Sequence, residues 1–216
     1  MSDDQYTRQR EQMVREQLER RGISDPKVLS AFRSVKRHRF VPESSREYAY
    51  SDRPLPIGHD QTISQPYIVA FMTEILDPEA TDKVLEVGTG SGYQAAIMGE
   101  LCREIYSIEI IEDLGQSARE RLSELGYDNV HVKIGDGYEG WEEHAPYDAI
   151  IVTCSPKKVP QPLKEQLAEG GCMIIPIGRT YAQELVRLRK KNGELVKESV
   201  LPVRFVPMVD DEGKPY

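Results

Sequence analysis

Nine residues, Val84-Leu85-Glu86-Val87-Gly88-Thr89-Gly90-Ser91-Gly92, constrain this chain more than any other stretch. An apolar run ends in an acid, and glycine then stands at three alternate positions. Such a run reads as a buried strand, a tight turn and the start of a helix. Glycine belongs in the turn because the backbone angles there exclude side chains and because a ligand must come close to the main chain. The stretch predicts a nucleotide-type cofactor site on a Rossmann-like sheet.

The residues that follow extend the pattern. Short apolar segments at 83–87, 104–109, 130–134, 148–153 and 172–177 alternate with amphipathic segments at 92–101, 112–125 and 159–168. That alternation predicts an α/β fold, a doubly wound and mostly parallel sheet with helices on both faces. Residues 183–189 and 195–206, joined by Lys191-Asn192-Gly193, predict a C-terminal antiparallel hairpin on that sheet. Upstream, residues 5–21 predict an amphipathic helix stopping at Gly22. Ser24-Asp25-Pro26 starts a second helix, and Gln65-Pro66 opens a third with Ile68, Val69, Met72, Ile75 and Leu76 on its apolar face. The proline-rich stretch 40–65 reads mostly as loop. A chain of 216 residues, 39% hydrophobic, has ample material for one core. We expect a single domain over 1–216, with a helical and loop extension at 1–65, a cofactor-binding core at 66–177 and the hairpin segment at 178–216.

The identity of the cofactor turns on three acids. A dinucleotide reading is open: Gly90-x-Gly92-x-x-Ala95 fits a relaxed Rossmann fingerprint, and Glu109 lies where an acid would meet ribose hydroxyls. Glu86, however, would stand near a pyrophosphate and repel it. S-adenosylmethionine has no phosphate and carries a sulfonium and an ammonium. The set Glu86, Gly88, Thr89, Gly90 and Gly92, then Glu109, then Asp136 in Gly135-Asp136-Gly137, suits that cationic ligand. Glu109 would take the ribose hydroxyls and Asp136 the adenine amino group. Turn-capping is the competing role for Glu86 and Asp136.

Composition narrows the partners. The net charge of −8 argues against nucleic acid. Residues 1–47 hold 11 Lys/Arg against 8 Asp/Glu, and the rest hold 17 against 28, so the basic residues gather at the N-terminal end as on a solvated helix. Cys102, Cys154 and Cys172 are widely spaced, with no Cys-x-x-Cys pair and no histidine close by in sequence, so we expect reduced thiols, a cytoplasmic protein and no metal. The polar start Met1–Gln5 is unlike a signal peptide, and the apolar runs are too short to cross a membrane. A monomer fits this size.

Three further segments carry a specific resemblance. His59-Asp60-Gln61-Thr62-Ile63-Ser64-Gln65-Pro66-Tyr67 precedes the glycine turn, Tyr147-Asp148-Ala149-Ile150-Ile151-Val152-Thr153 forms the fourth strand, and Arg204-Phe205-Val206-Pro207-Met208-Val209 lies near the end. With the glycine turn, they make the chain resemble the protein-L-isoaspartate O-methyltransferases from about residue 10 to 209. The resemblance implies methyl esterification of the free α-carboxylate of L-isoaspartyl residues in damaged proteins and peptides. The ester then closes to a succinimide, and repair begins. It maps the family's active-site serine onto Ser64, with Thr62, Ile63 and Val206 beside the substrate. Ile110 and Gly137 map onto the cofactor shell, and the segment around Val206 onto one that closes over the substrate. A carboxylate is already nucleophilic, so Ser64 is expected to donate a hydrogen bond, doubling as an N-cap of the helix opened by Gln65-Pro66. His59 is expected to be structural. An S-adenosylmethionine-dependent enzyme acting on a small metabolite or RNA is the alternative, and a nicotinamide oxidoreductase or a non-catalytic module stands behind it. Thr153-Cys154-Ser155-Pro156 lacks the aromatic that base methylation needs next to its proline.

Overall fold

A computed structural model describes residues 2–179 and 181–216; Met1 and Thr180, part of the expected single domain, lie outside the described residues. Helix α1 (Asp3–Met13) begins with a reciprocal capping box between Ser2 and Gln5. It runs into a wide π turn over Val14–Leu18 and a tight turn over Glu19–Arg21, and ends at Gly22, whose φ of +95° needs glycine. Helix α2 (Pro26–Ser34) starts where expected, with the Asp25 carboxylate accepting from Lys27 N at 2.7 Å.

The stretch 40–65 holds more structure than a loop. Strands β1 (Leu55–Gly58) and β2 (Gln61–Ile63) pair antiparallel around His59 and Asp60, both left-handed at φ +51° and +56°. This small hairpin delivers Ser64 to the start of helix α3 (Pro66–Leu76).

The main sheet has seven strands: β3 (Lys83–Val87), β4 (Glu104–Glu109), β5 (Val130–Ile134), β6 (Tyr147–Val152), β7 (Leu167–Arg179), β8 (Ala182–Lys191) and β9 (Glu194–Val203). Their spatial order is β5-β4-β3-β6-β7-β8-β9, parallel from β5 through β7 and antiparallel beyond. Helices α4 (Tyr93–Gly99), α5 (Glu112–Glu124) and α6 (Gln161–Gln166) provide the crossovers. Strand β7 outruns the expected 172–177 at both ends: Leu167 pairs with Tyr147 of β6, and the second half pairs with β8 up to Arg179.

Burial on both faces explains the unbroken apolar runs of the central strands. Val84, Ile105, Ala149, Ile151 and Ile174 face the larger core, which the N-terminal helices complete through Val14, Leu18 and Phe32. Leu85, Val87, Ile108, Ile150, Val152 and Met173 face the smaller one. Strand order reverses beside β3, where β4 lies on one side and β6 on the other. A crevice at the carboxyl ends of parallel strands forms at such a reversal, and the ligand site is expected there.

Candidate active site

The loop after β3 lies at that reversal. Gly88 has a φ of +98°, and a Cβ there would strike the Thr153 hydroxyl, which itself donates to Gly88 O at 2.7 Å. A Cβ on Gly137 would strike the Val87 side chain. Glycine at these two positions keeps the crevice open between β3, β4 and β6. The resulting cavity, about 930 Å³ with its mouth, is lined from five directions. The hairpin side supplies Thr62, Ile63 and Ser64; the glycine loop supplies Gly88, Thr89 and Gly90. The tip of β4 supplies Glu109 and Ile110, and the last segment supplies Val206 with Pro207 and Met208. Gly137 closes the far side.

Ten of the thirteen expected site residues thus meet around one cavity, and Glu86, Gly92 and Asp136 stand outside its lining. Glu86 departs most from expectation. Its side chain is fully buried under the loop, where Ser107 donates to one carboxylate oxygen and the other has no partner. Thr89 meets Ser107 in turn, so the loop is tied down by a hydroxyl relay. Burial, with the Glu109 charge adding to it, pushes the Glu86 carboxyl up to about 8. Glu86 is therefore mostly neutral at pH 7 and supports the loop from beneath, where an anion attracting the ligand was expected. Gly92 also works within the fold. It begins α4 at φ +85°, and a Cβ there would press on Leu122.

Glu109 keeps a position at the cavity wall. Its two oxygens accept from Gly90 N at 2.7 Å and Ile111 N at 3.0 Å. Burial raises its pKa and those two amides oppose the rise. Asp136 is spoken for on both oxygens: Tyr138 N donates to one at 2.8 Å, and the Tyr216 hydroxyl donates to the other. Tyr216 also stacks on Tyr138, with ring centres 4.3 Å apart.

The expected N-cap role of Ser64 does not appear. Gln65 occupies the cap position of α3 without a side-chain hydrogen bond, and Pro66 follows. Ser64 sits one residue earlier, half-buried, and lines the cavity. Its hydroxyl is thereby free to serve a ligand. Arg37 donates to the Ser64 carbonyl at 2.8 Å. His59 pairs with Asp113 at 3.4 Å on the surface, consistent with a structural place.

On the opposite wall, Val206 O accepts from Ser155 N at 2.8 Å, and Met208 N donates to Ser155 O at 3.0 Å. Just before them, buried Gln183 clamps the Phe205 backbone: Phe205 N donates to its side-chain oxygen at 2.6 Å and its amide donates back to Phe205 O at 3.0 Å. The segment is held as an extended strip along the cavity mouth. Cys154 lines the cavity as its place after the fourth strand suggests; Tyr93, Gln94 and Thr153 also line it and were not expected there. Tyr93 and Gln94 follow the glycine turn directly, which was the available signal.

The walls discriminate between the cofactors considered. Glu109 is the one charged side chain among the described residues that line the cavity, and an acid there suits a sulfonium and an ammonium better than a pyrophosphate. Val87, Ile108, Ile110, Met72 and Met208 offer apolar surface, and the Glu109 carboxylate offers acceptors. This lining fits S-adenosylmethionine better than a dinucleotide.

Known proteins agree with that geometry. The family profile described as Protein-L-isoaspartate(D-aspartate) O-methyltransferase matches residues 8–213. A protein-L-isoaspartate O-methyltransferase of a Picosynechococcus strain is 54% identical over 199 residues, 92% of this chain and 89% of that one. One from Dictyoglomus turgidum is 52% identical over 208 residues, covering 96% and 94%. Among solved structures, one named protein-L-isoaspartate O-methyltransferase superposes with a TM-score of 0.87 at 32% identity, over 94% of this chain and 67% of that one. A Plasmodium falciparum chain described as belonging to the same class, in complex with S-adenosyl-L-homocysteine, gives 0.80 at 30% identity, over 91% and 96%.

Proposed function

Since this chain belongs to the protein-L-isoaspartate O-methyltransferase family, we propose that this cavity brings donor and acceptor together, with Ser64 presenting the acceptor carboxylate. The protein is an S-adenosylmethionine-dependent methyltransferase acting on L-isoaspartyl residues of damaged proteins. When bound, S-adenosylmethionine supplies a methyl group made electrophilic by the adjoining sulfonium.

The residues divide the remaining work. Gly88, Thr89 and Gly90 let the ligand lie against bare main chain, and Glu109 with Ile110 offers acceptors and an apolar ledge. Gly137 forms the far edge, and Asp136, just outside the lining, acts through the backbone turn it caps. Thr62 and Ile63 flank the peptide. Ser64 donates to its carboxylate, and Tyr67 N and Ile68 N at the open end of α3 favour the same negative charge. No base is required, because the attacking oxygen carries no proton at neutral pH. Methyl transfer joins an anion to a cation and leaves two uncharged groups. A dry, apolar cavity favours that loss of charge, so exclusion of water and alignment are the protein's main contributions.

The strip at Val206 reads an extended peptide by its main chain, which suits substrates of many sequences. Its three unbridged cysteines suit a cytoplasmic, reducing setting. We assign it the monomeric state and protein substrates, with nucleic acid and membranes outside its range.

Glu109, the one charged side chain among the described lining residues, with Ser64 and the glycine loop in the same cavity, carries this reading. Methyl uptake from labelled S-adenosylmethionine into an isoaspartyl peptide, compared with the same peptide containing normal aspartate, tests it. Strong labelling of the first alone is expected. Equal or absent labelling overturns it.

A further inference from the structure

Arg37 lies outside the cavity lining and plays no part in the roles above, yet its surroundings are unusual. It is fully buried, the largest such side chain in the protein. Its Nε donates to Ala49 O at 2.8 Å and one terminal nitrogen donates to Ser64 O at 2.8 Å. The other terminal nitrogen has no partner. Among the described residues, no carboxylate forms an ion pair with it. Its guanidinium lies over the ring of Tyr93, 4.7 Å from the centre, and the buried Tyr93 hydroxyl, with no well-formed hydrogen bond of its own, is its nearest polar side chain and eases its charge in part.

A buried charge is costly unless paired, and arginine does not escape the cost by losing its proton. Main-chain carbonyls and an aromatic face compensate only part of it. Both Ser64 and Tyr93, which Arg37 touches, form the cavity wall. The standing positive charge therefore lies one residue behind the wall, at the end where Ser64 faces the ligand.

Resting on the reading of Ser64 given above, we infer that Arg37 is a positioning residue for the substrate carboxylate. It fixes the Ser64 backbone from behind and supplies the countercharge that the cavity lining lacks. A cation in direct contact would hold the carboxylate oxygens in a salt bridge and blunt their attack. A cation behind the wall attracts the carboxylate and leaves its oxygens free. It also selects the acid over its neutral derivatives. For a separation of about 7–12 Å and an effective dielectric near 20, the preference amounts to ~10- to 50-fold.

The test compares an isoaspartyl peptide with the same peptide bearing an α-carboxamide in place of the α-carboxylate. Both are titrated calorimetrically into the enzyme saturated with S-adenosylhomocysteine, using wild type, Arg37→Lys and Arg37→Gln. The wild type should prefer the carboxylate by at least tenfold. Arg37→Lys keeps the charge without the planar fork, so binding weakens but the preference stays within threefold of wild type. Arg37→Gln should lose the preference while S-adenosylhomocysteine affinity stays within threefold. Equal weakening of both peptides in Arg37→Gln, with the preference intact, would mean a purely structural staple and overturns the inference. If Arg37→Gln does not fold, Arg37→Met takes its place as the uncharged variant under the same criteria, and a lost preference in Arg37→Lys also overturns the inference. A wild type that methylates isoaspartyl peptide yet shows no preference overturns this inference and spares the function; one that methylates neither peptide overturns the function itself.

Discussion

Ser64 and Glu86 carry opposite lessons about polar groups. Ser64 has a free hydroxyl beside the acceptor position, so Ser64→Ala should remove a hydrogen bond to a charged group and nothing from the fold. Such a bond is worth about 1.5–3 kcal/mol. Turnover with isoaspartyl peptide should fall about 10- to 100-fold while S-adenosylhomocysteine affinity stays near wild type; equal losses in both would place Ser64 elsewhere. Glu86 is buried and mostly neutral at pH 7. Its carboxyl rises from 4.5 to about 8 on folding, so the native state keeps a proton that the unfolded chain has released. That group's contribution is complete below about 4.5, declines as pH climbs, and is gone above about 8. Glu86→Gln removes this dependence. Thermal unfolding at pH 6 and pH 9 should show the variant gaining several degrees on the wild type at the higher pH. A gap that does not change with pH would mean Glu86 is ionised in the fold. The chain alone placed Glu86 at the right tip of the right strand but could not give its charge, because a carboxyl's protonation depends on burial by neighbours such as Ser107, 21 residues away. Arg37 was hidden for a similar reason: it stands in Lys36-Arg37-His38-Arg39, a basic run that reads as solvated, yet Arg37 and His38 are buried.

The elements were easier to read where burial on both faces left continuous apolar runs. Strands β3 to β5 lie at their expected positions for that reason. The β1–β2 hairpin was not read, since Pro54, Pro56 and Gly58 suggest irregular chain and its left-handed turn uses His59 and Asp60. Its pairing is short, and its worth lies in delivering Ser64. The strip after β9 depends on one side chain from β8. Gln183 makes two hydrogen bonds to Phe205, copying the exchange of a paired strand. Gln183→Ala should loosen the strip and raise the KM for isoaspartyl peptide about 5- to 10-fold, from two bonds at about 0.5–1.5 kcal/mol each, partly replaced by water. S-adenosylhomocysteine affinity should stay within twofold, as the glycine loop is untouched. A change in cofactor affinity with peptide KM unaltered would contradict the assignment of the strip to the peptide side.

Over the whole molecule, the cavity joins parts that are far apart in sequence. Saturation with S-adenosylhomocysteine at about 100 times its dissociation constant should stabilise the fold by about 2.7 kcal/mol. For a chain of this size, that corresponds to a rise in Tm of about 5–10 °C. NAD at the same concentration should leave Tm unchanged, and a comparable rise would reverse the account of Glu109 in the cavity wall. The helical N-terminal region, the α/β core and the final strip were each legible as segments. Their meeting was less so, because contacts such as Tyr216 with Asp136 span 80 residues without local pattern. The two lips of the cavity, Thr62–Ser64 and Val206–Met208, lie some 140 positions apart along the chain. During synthesis, then, the nascent polypeptide can assemble its donor shelf well before it owns a closed reaction chamber. A fragment halted near residue 200 would lack Val206–Met208 and with them one wall of that chamber.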